Sequence, residues 1–399
     1  KRIQGGFMRS FFQGMALLTL SFVLLTGQQS GLRAAESTRQ VMDDVLEAFV
    51  SLIPYMSSQK HFKVATNEKD VRQHLNSLKK AFSKTDHLKA LQRPGFAPSV
   101  KSLNEHLEST VKAFESGNKD FALVRLKSTT SLCMSCHTQL PSSRRGAFQV
   151  AMKKVSRNDF DSDFEFAEFL FMTRNYLKSL RYYEQTLNSR LESSEKSREG
   201  EAYQQIRQSF KRALTIFTKV SFNPDRALRF LEKFDDHDNL PKMTQIDVKN
   251  WMEQLEKWQK RKLTVKLNSK KEVAQFIDEY LEPLRQKESK VADGGEDVSL
   301  LVASGILSKF LSYQPDSSLT PRVLYWLAVA DRQLDYNFFF SLADLYLKEC
   351  IKQYPESSYA PQCFKEYKEN LIYGYSGSGG TDIPEEERKE LERLKSYLK

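Results

Sequence analysis

Apolar residues recur at alternating steps of three and four along most of this 399-residue chain. Such spacing lays one apolar stripe along each α-helix, whereas a β-strand requires alternation every two residues. Four such stretches follow one another between residues 36 and 145, with breaks at Pro54, before Pro98 and at Gly117. Amphipathic helices of this length bury their stripes against one another. We therefore expect an all-α chain that begins with an antiparallel four-helix bundle.

The composition is that of a folded protein with a small basic surplus. Hydrophobic residues make up 40% and charged residues 28%, which excludes disordered, collagen-like and low-complexity classes. Lysine and arginine outnumber aspartate and glutamate by 61 to 51, too little to indicate a nucleic-acid surface. We find no phosphate loop, nucleophile elbow or paired metal motif, so hydrolysis and phosphoryl transfer have no support.

Residues 1–35 are predicted to be a signal peptide. The first methionine is Met8, which we interpret as the translation start, and an apolar run of 11 residues extends from Met15 to Leu25. This run is too short for a hydrocarbon core, which needs about 20 residues, but it matches the apolar region of a signal peptide. An uncleaved anchor is the alternative. The mature protein is expected in the bacterial periplasm, without a transmembrane helix.

The most specific motif is Cys-Met-Ser-Cys-His at residues 133–137, near the end of the fourth predicted helix. Cys-x-x-Cys-His is the attachment pattern of c-type haem: two thiols bond to the vinyl groups, and the adjacent imidazole binds the iron. On a helix, Cys133 and His137 share a face with Leu126, so we expect the ring to lie against the bundle interior. The sequence therefore predicts one covalent haem c held by Cys133, Cys136 and His137.

Two other interpretations of the motif are weaker. A structural zinc site needs two further nearby cysteine or histidine ligands, and the sequence offers no tight set of them. A thioredoxin-like Cys-x-x-Cys lies where a strand meets the start of a helix, whereas this pair is placed near a helix end. Export also favours haem, because bacterial haem c is attached outside the cytoplasm.

With its four predicted helices and its late Cys-x-x-Cys-His, the segment 36–145 resembles the cytochrome c′ family. The resemblance implies a haem-bearing bundle whose sixth iron position, near the start of the first helix, faces methionine or an apolar side chain. The local match lies at residues 39–42, which makes Met42 the candidate sixth ligand. A purely structural role for Met42, a histidine such as His87 or His106, and an open site are the alternatives.

The rest of the chain contains an internal repeat. The heptad from Pro315 to Pro321 recurs 40 residues later between Pro355 and Pro361, and each copy separates two apolar helical stretches. These features resemble tetratricopeptide-like repeats, which imply stacked helix pairs that bind a protein partner. A plain helical domain is the alternative. The predicted divisions are the signal peptide (1–35), the haem bundle (36–145), a helical repeat-like region (146–285), tetratricopeptide-like repeats (286–375), and a linker with a C-terminal helix (376–399).

The other two cysteines, Cys350 and Cys363, flank the second repeat turn. Antiparallel helices joined by so short a turn bring two cysteines within disulfide reach, and an exported protein favours the bridge. Two buried thiols are the alternative.

Together these features predict an exported monohaem c-type cytochrome, not an enzyme, that exchanges electrons with a redox protein partner docked on the repeats. A methionine ligand raises the reduction potential of haem iron, which suits an electron carrier. The second hypothesis is a five-coordinate haem protein that binds nitric oxide or carbon monoxide. The third is an envelope scaffold in which the haem is secondary.

Overall fold

A computed structural model describes residues 38–56, 59–139, 155–192, 200–261, 264–286, 296–334, 338 and 341–398. These residues are helical almost throughout, which confirms the all-α prediction. Within these ranges no helix is long and apolar enough to cross a membrane. The predicted signal peptide and residues 140–154 lie outside the described residues.

Residues 38–139, called the first part of the chain below, fold as a set of antiparallel helices. The predicted break near Pro54 is present, because the first helix stops at residue 50 and a short helix begins at Ile53. Gly117 has a φ of 85°, a left-handed conformation that glycine adopts without strain, and Asn118 then caps the following helix. The helices are α1 (38–50), α2 (Ile53–Met56), α3 (Gln59–Lys63), α4 (Glu68–Ser83), α5 (Ala97–Glu115) and α6 (Lys119–His137).

Four helix ends meet at one end of this first part. Lys84, just after α4, pairs with Asp44 of α1 at 2.6 Å. Residues 84–97 then lead into α5, and Gly95 faces Gln139, just after α6: a Cβ on Gly95 would lie 3.8 Å from the Gln139 amide oxygen. The starts of α1 and α5 and the ends of α4 and α6 therefore lie together, as antiparallel packing predicts.

The described residues from 155 to 398, called the second part of the chain below, are also helical, and their helices pack closely. The helix Gly200–Thr215 continues as a π-helical turn that ends at Val220. Gly305 lies so near this turn that an added Cβ would be 2.6 Å from the Lys219 carbonyl oxygen, so only glycine fits there. The helices are α7 (Asp163–Met172), α8 (Tyr176–Glu192), α9 (Gly200–Thr215), α10 (Pro224–Leu231), α11 (Lys242–Arg261), α12 (Lys270–Phe276), α13 (Asp297–Tyr313), α14 (Thr320–Gln333), α15 (Ala343–Gln353), α16 (Ala360–Gly374) and α17 (Glu385–Lys395).

A buried ion pair joins three of these helices. Arg212 of α9 donates to Glu168 of α7 at 3.0 and 3.3 Å, and the hydroxyl of Tyr183 in α8 donates to the same carboxylate at 2.5 Å. A buried charge is tolerated only when it is paired and hydrogen-bonded. The network therefore fixes how α7, α8 and α9 pack.

The repeated proline segments form two equivalent turns. α13 and α14 flank the first segment, α15 and α16 flank the second, and each second proline lies in the first turn of the helix that follows. Proline is favoured there because the missing N–H has no helical partner. Across the second turn, Cys350 and Cys363 form a disulfide with their Cα atoms 6.4 Å apart. A two-stranded hairpin, β1 (Ser376–Gly377) and β2 (Gly380–Thr381), then precedes α17.

Candidate haem-attachment site

The three predicted attachment residues lie at the C-terminal end of α6. Cys133 and Cys136 are half-buried and are not bonded to each other, and His137 is the last residue of the helix. Between them, Met134 and Ser135 are buried. This turn of α6 is therefore anchored by its inner side chains, while both thiols remain single.

The imidazole of His137 is fixed by the main chain of α7. Its Nδ1 is hydrogen-bonded to the carbonyl oxygen of Met172, the last residue of that helix. Since a carbonyl can only accept, the ring proton is on Nδ1 and the lone pair is on Nε2. Burial also lowers the pKa of His137 to about 4, so the ring is neutral at neutral pH. A neutral ring with an Nε2 lone pair and a carbonyl on Nδ1 is the form in which histidine binds metals.

The junction between α7 and α8 makes a second contact with the same residue. The hydroxyl of Tyr176, at the start of α8, donates to the carbonyl oxygen of His137 at 3.3 Å. This carbonyl is one of the last of α6 and has no partner within the helix. Met172 and Tyr176 thus hold His137 by its ring and by its backbone.

The thiols have the character of buried groups. Burial raises the pKa of Cys133 and that of Cys136 to about 12, so both are protonated at neutral pH. A redox-active Cys-x-x-Cys depends instead on a lowered thiol pKa. The surroundings of the pair therefore argue against a thioredoxin-like role.

A zinc site is not supported either. In the part of the chain that the structure describes, no three His, Cys, Asp or Glu side chains converge as a metal-binding set. The motif supplies one ring nitrogen and two thiols that are not bonded to each other. This donor set fits a haem, which needs one protein nitrogen on the iron and two thiols at the ring edge.

Met42, the candidate sixth ligand, lies in α1, half-buried and packed against the core. Two residues further on, Asp44 forms the ion pair with Lys84. Met42 therefore lies at the same end of the first part as His137, as antiparallel packing predicts.

The two histidine alternatives have other surroundings. His106 is buried in α5: its Nε2 donates to the carbonyl oxygen of Arg125 at 2.7 Å, and its Nδ1 accepts from the Arg125 guanidinium at 3.0 Å. Both ring nitrogens are thereby engaged. His87 is exposed in the turn after α4. The structure thus commits His106 to a packing role and leaves Met42 as the candidate at this end.

Sequence reasoning missed the contribution of the second part of the chain. It placed the ring beside Leu126 in the bundle interior, and Leu126 is indeed fully buried there, but the imidazole of His137 contacts α7. On the far side of the motif, Gln139 donates to the hydroxyl of Tyr346 in α15 at 3.1 Å. The signal for these contacts is absent from the sequence, because a main-chain carbonyl carries no residue identity.

No protein-family model, no curated protein and no solved structure matches this chain. The likeness to the cytochrome c′ family therefore rests on the motif and on the helix pattern alone.

Proposed function

We propose that this protein is an exported monohaem c-type cytochrome that transfers electrons. The observation that supports the proposal most is the state of His137: neutral, protonated on Nδ1 by its bond to Met172, with the Nε2 lone pair left for iron. A histidine that merely filled a helix end would not require this tautomer.

Each residue of the motif has a role in this proposal. Cys133 and Cys136 would hold the ring through two thioether bonds, and His137 would be the proximal iron ligand. Met42 would be the sixth ligand. A c-type haem supplies one-electron transfer between ferrous and ferric iron.

The surrounding chain supports these roles in three ways. The carbonyl of Met172 keeps the proton on Nδ1 of His137 and fixes the orientation of the ring. The hydroxyl of Tyr176 holds the backbone of the same residue. Buried Met134 places an apolar side chain on the inner side of the turn, which favours a low-dielectric site.

We also propose that the helices of the second part dock the redox partner. The equivalent turns around Pro315 and Pro355 support a tetratricopeptide-like stacking, in which successive helix pairs present one continuous surface. Export to the periplasm, from the predicted signal peptide, would bring the chain to the compartment where haem c is attached.

The test is an absorption spectrum of the protein produced together with a haem c maturation system. We expect sharp α and β bands on reduction, with the haem retained after acid–acetone extraction. A protein that carries no haem, or one whose haem is extracted, would overturn the proposal.

A second candidate function uses the same haem with an open sixth position that binds nitric oxide or carbon monoxide. It is favoured by one observation: His106 is engaged by Arg125 through both ring nitrogens, so this histidine is not available as a sixth ligand. Carbon monoxide added to the reduced wild type and to Met42→Ala separates the two functions. Electron transfer predicts a spectral change in the variant only, and gas binding predicts it in both.

A further inference from the structure

The last helix, α17, docks on α15 and α16 along one of its sides. Leu394 is fully buried there, and the rest of the helix is exposed or half-buried. One turn earlier, Glu390 pairs with Lys352 of α15 at 3.1 Å. At the start of the helix, Glu387 accepts a hydrogen bond from the hydroxyl of Tyr367 in α16 at 3.0 Å. A helix of 11 residues is marginal in water by itself, so α17 depends on these contacts.

The surface under α17 fits an acidic helix. Tyr367 is buried in this surface, and the Nζ of Lys348 lies 4.9 Å from the centre of its ring. Lys348 and Lys352 are one turn apart on α15, so the surface presents two positive charges. The three contact residues of α17 follow one another at steps of three and four, which places both carboxylates and the leucine on one face. An occupant of this surface must therefore carry the same acidic stripe.

The connection between α16 and α17 lies on the surface of the protein. Residues 372–382 are all exposed. A Cβ added to Gly377 or Gly379 would meet no atom of the described chain within 4 Å. The hairpin in this connection has two residues in each strand, and so small a hairpin is marginal by itself. Straightening the connection would therefore break few bonds and expose no buried side chain of its own.

Large apolar side chains are exposed beside this connection. Ile372 and Tyr373 lie in the last turn of α16, and Tyr375 lies just before β1. Neighbouring exposed apolar side chains mark interaction sites on soluble proteins, whereas single ones are common. Two copies whose connections run side by side would cover these residues on each other.

We propose that two copies of this chain form a dimer by exchanging α17, so that each helix docks on α15 and α16 of the other copy. A second copy carries the acidic stripe that this surface fits, and exchange repeats the contacts described above between two chains. Because those contacts are equal in monomer and dimer, the additional contact comes from Ile372, Tyr373 and Tyr375. The inference goes beyond the proposed function and does not require haem.

The experiment measures the association of the whole chain by sedimentation in the micromolar range. We expect the wild type to form dimers. Lys352→Glu and Glu390→Lys each place two like charges at the ion pair, so each variant alone should associate less tightly than the wild type. In an equimolar mixture of the two variants, every α17 of an exchanged dimer meets a surface of opposite charge. The mixture should therefore associate about tenfold more tightly than either variant alone.

The matched control reverses an exposed ion pair within α5. Lys101→Glu and Glu105→Lys, alone or mixed, should form as much dimer as the wild type. A further variant tests the exposed side chains beside the connection. Tyr373→Ser combined with Tyr375→Ser should weaken the wild-type dimer and leave the helix content, measured by circular dichroism, unchanged.

Two results would overturn the inference. One is a wild type that stays a monomer throughout the micromolar range. The other is an equimolar mixture of Lys352→Glu and Glu390→Lys that gains no association over its components, since a dimer formed through another surface would not respond to the matched charges. A chain that carries no haem but dimerises in this way would contradict the proposed function and leave this inference standing.

Discussion

The four cysteines form two pairs that the fold uses in opposite ways. Cys133 and Cys136 lie three residues apart on one helix and remain single thiols. Cys350 and Cys363 lie 13 residues apart on two helices and form a disulfide. The proline-bounded turn between α15 and α16 aligns the second pair so that the two sulfurs bond to each other.

The difference shows that the helices which carry two cysteines determine whether they form a disulfide. A disulfide needs two Cα atoms at about 4.4–6.8 Å whose side chains approach each other, which antiparallel helices provide. Two thiols that stay single on one helix turn are available to an outside group such as a haem edge. We therefore expect the first pair to govern cofactor attachment and the second to govern stability.

The largest expected effect is on haem attachment. Cys133→Ala combined with Cys136→Ala should abolish covalent haem, because no thiol remains to bond to the ring. The matched control, Cys350→Ala with Cys363→Ala, should carry the wild-type amount of haem per chain. Haem retained after acid–acetone extraction measures both, and equal retention in the two double variants would contradict the comparison.

The second effect is on stability, and here we expect the Cys350–Cys363 pair to matter more than the Cys133–Cys136 pair. Cys350→Ala with Cys363→Ala should lower the free energy of unfolding by roughly 3 kcal/mol, since the bridge constrains a short loop in the unfolded chain. Urea unfolding of the haem-free protein measures this, and a reducing agent should reproduce the loss in the wild type but not in the variant. A reductant effect of the same size in both proteins would show that the bridge is not its source.

The third effect is a pH dependence beside the disulfide. Burial raises the pKa of Glu349, next to Cys350, to about 7 from an ordinary 4.5. The folded state thus binds the proton of Glu349 more tightly than the unfolded chain does. The contribution of this proton to the free energy of unfolding is fully present below pH 4.5 and is lost as the pH rises through 7. Glu349→Gln should be about 1–2 kcal/mol more stable than the wild type at pH 8.5, and this advantage should shrink towards pH 5.

The control for this prediction is Glu356→Gln, at an exposed glutamate in the turn between the same two helices. It should leave the pH dependence of urea unfolding unchanged. A Glu349→Gln protein that keeps the wild-type slope between pH 5 and 8.5 would show that Glu349 does not titrate in this range.

The smallest effect is expected beside the Cys133–Cys136 pair, at the contact between Tyr176 and His137. Tyr176→Phe removes the hydroxyl that donates to the carbonyl of His137 and should cost about 1 kcal/mol of unfolding free energy. Tyr373→Phe, at a side chain that is 75% exposed, is the control and should change nothing. A loss of equal size in both variants would contradict the claim that the hydroxyl of Tyr176 stabilises the site through His137.

The helices were the most predictable feature of the chain. The predicted breaks before Pro98 and at Gly117 agree with the two ends of α5, which begins at Ala97 and ends at Glu115. Apolar spacing locates a helix because the stripe must face the core, and glycine and proline then mark its ends. The two proline-bounded turns could be predicted for the same reason.

The candidate site was predictable only in part. Cys133, Cys136 and His137 were found because their residue types carry the chemistry. The carbonyl of Met172 and the hydroxyl of Tyr176 were not, because both depend on where α7 ends in space. No periodicity in the sequence brings residues 172–176 to residue 137, since that contact is made by tertiary packing across two parts of the chain.

The bond between His137 and Met172 has one more consequence. If the chain holds the proposed haem, the main chain of α7 would orient its iron ligand, so loss of order in α7 and α8 would disturb the iron while α4, α5 and α6 stayed folded. The absorption of the proposed haem would then report on α7 and α8, and its bands would fade in urea before α4, α5 and α6 unfolded.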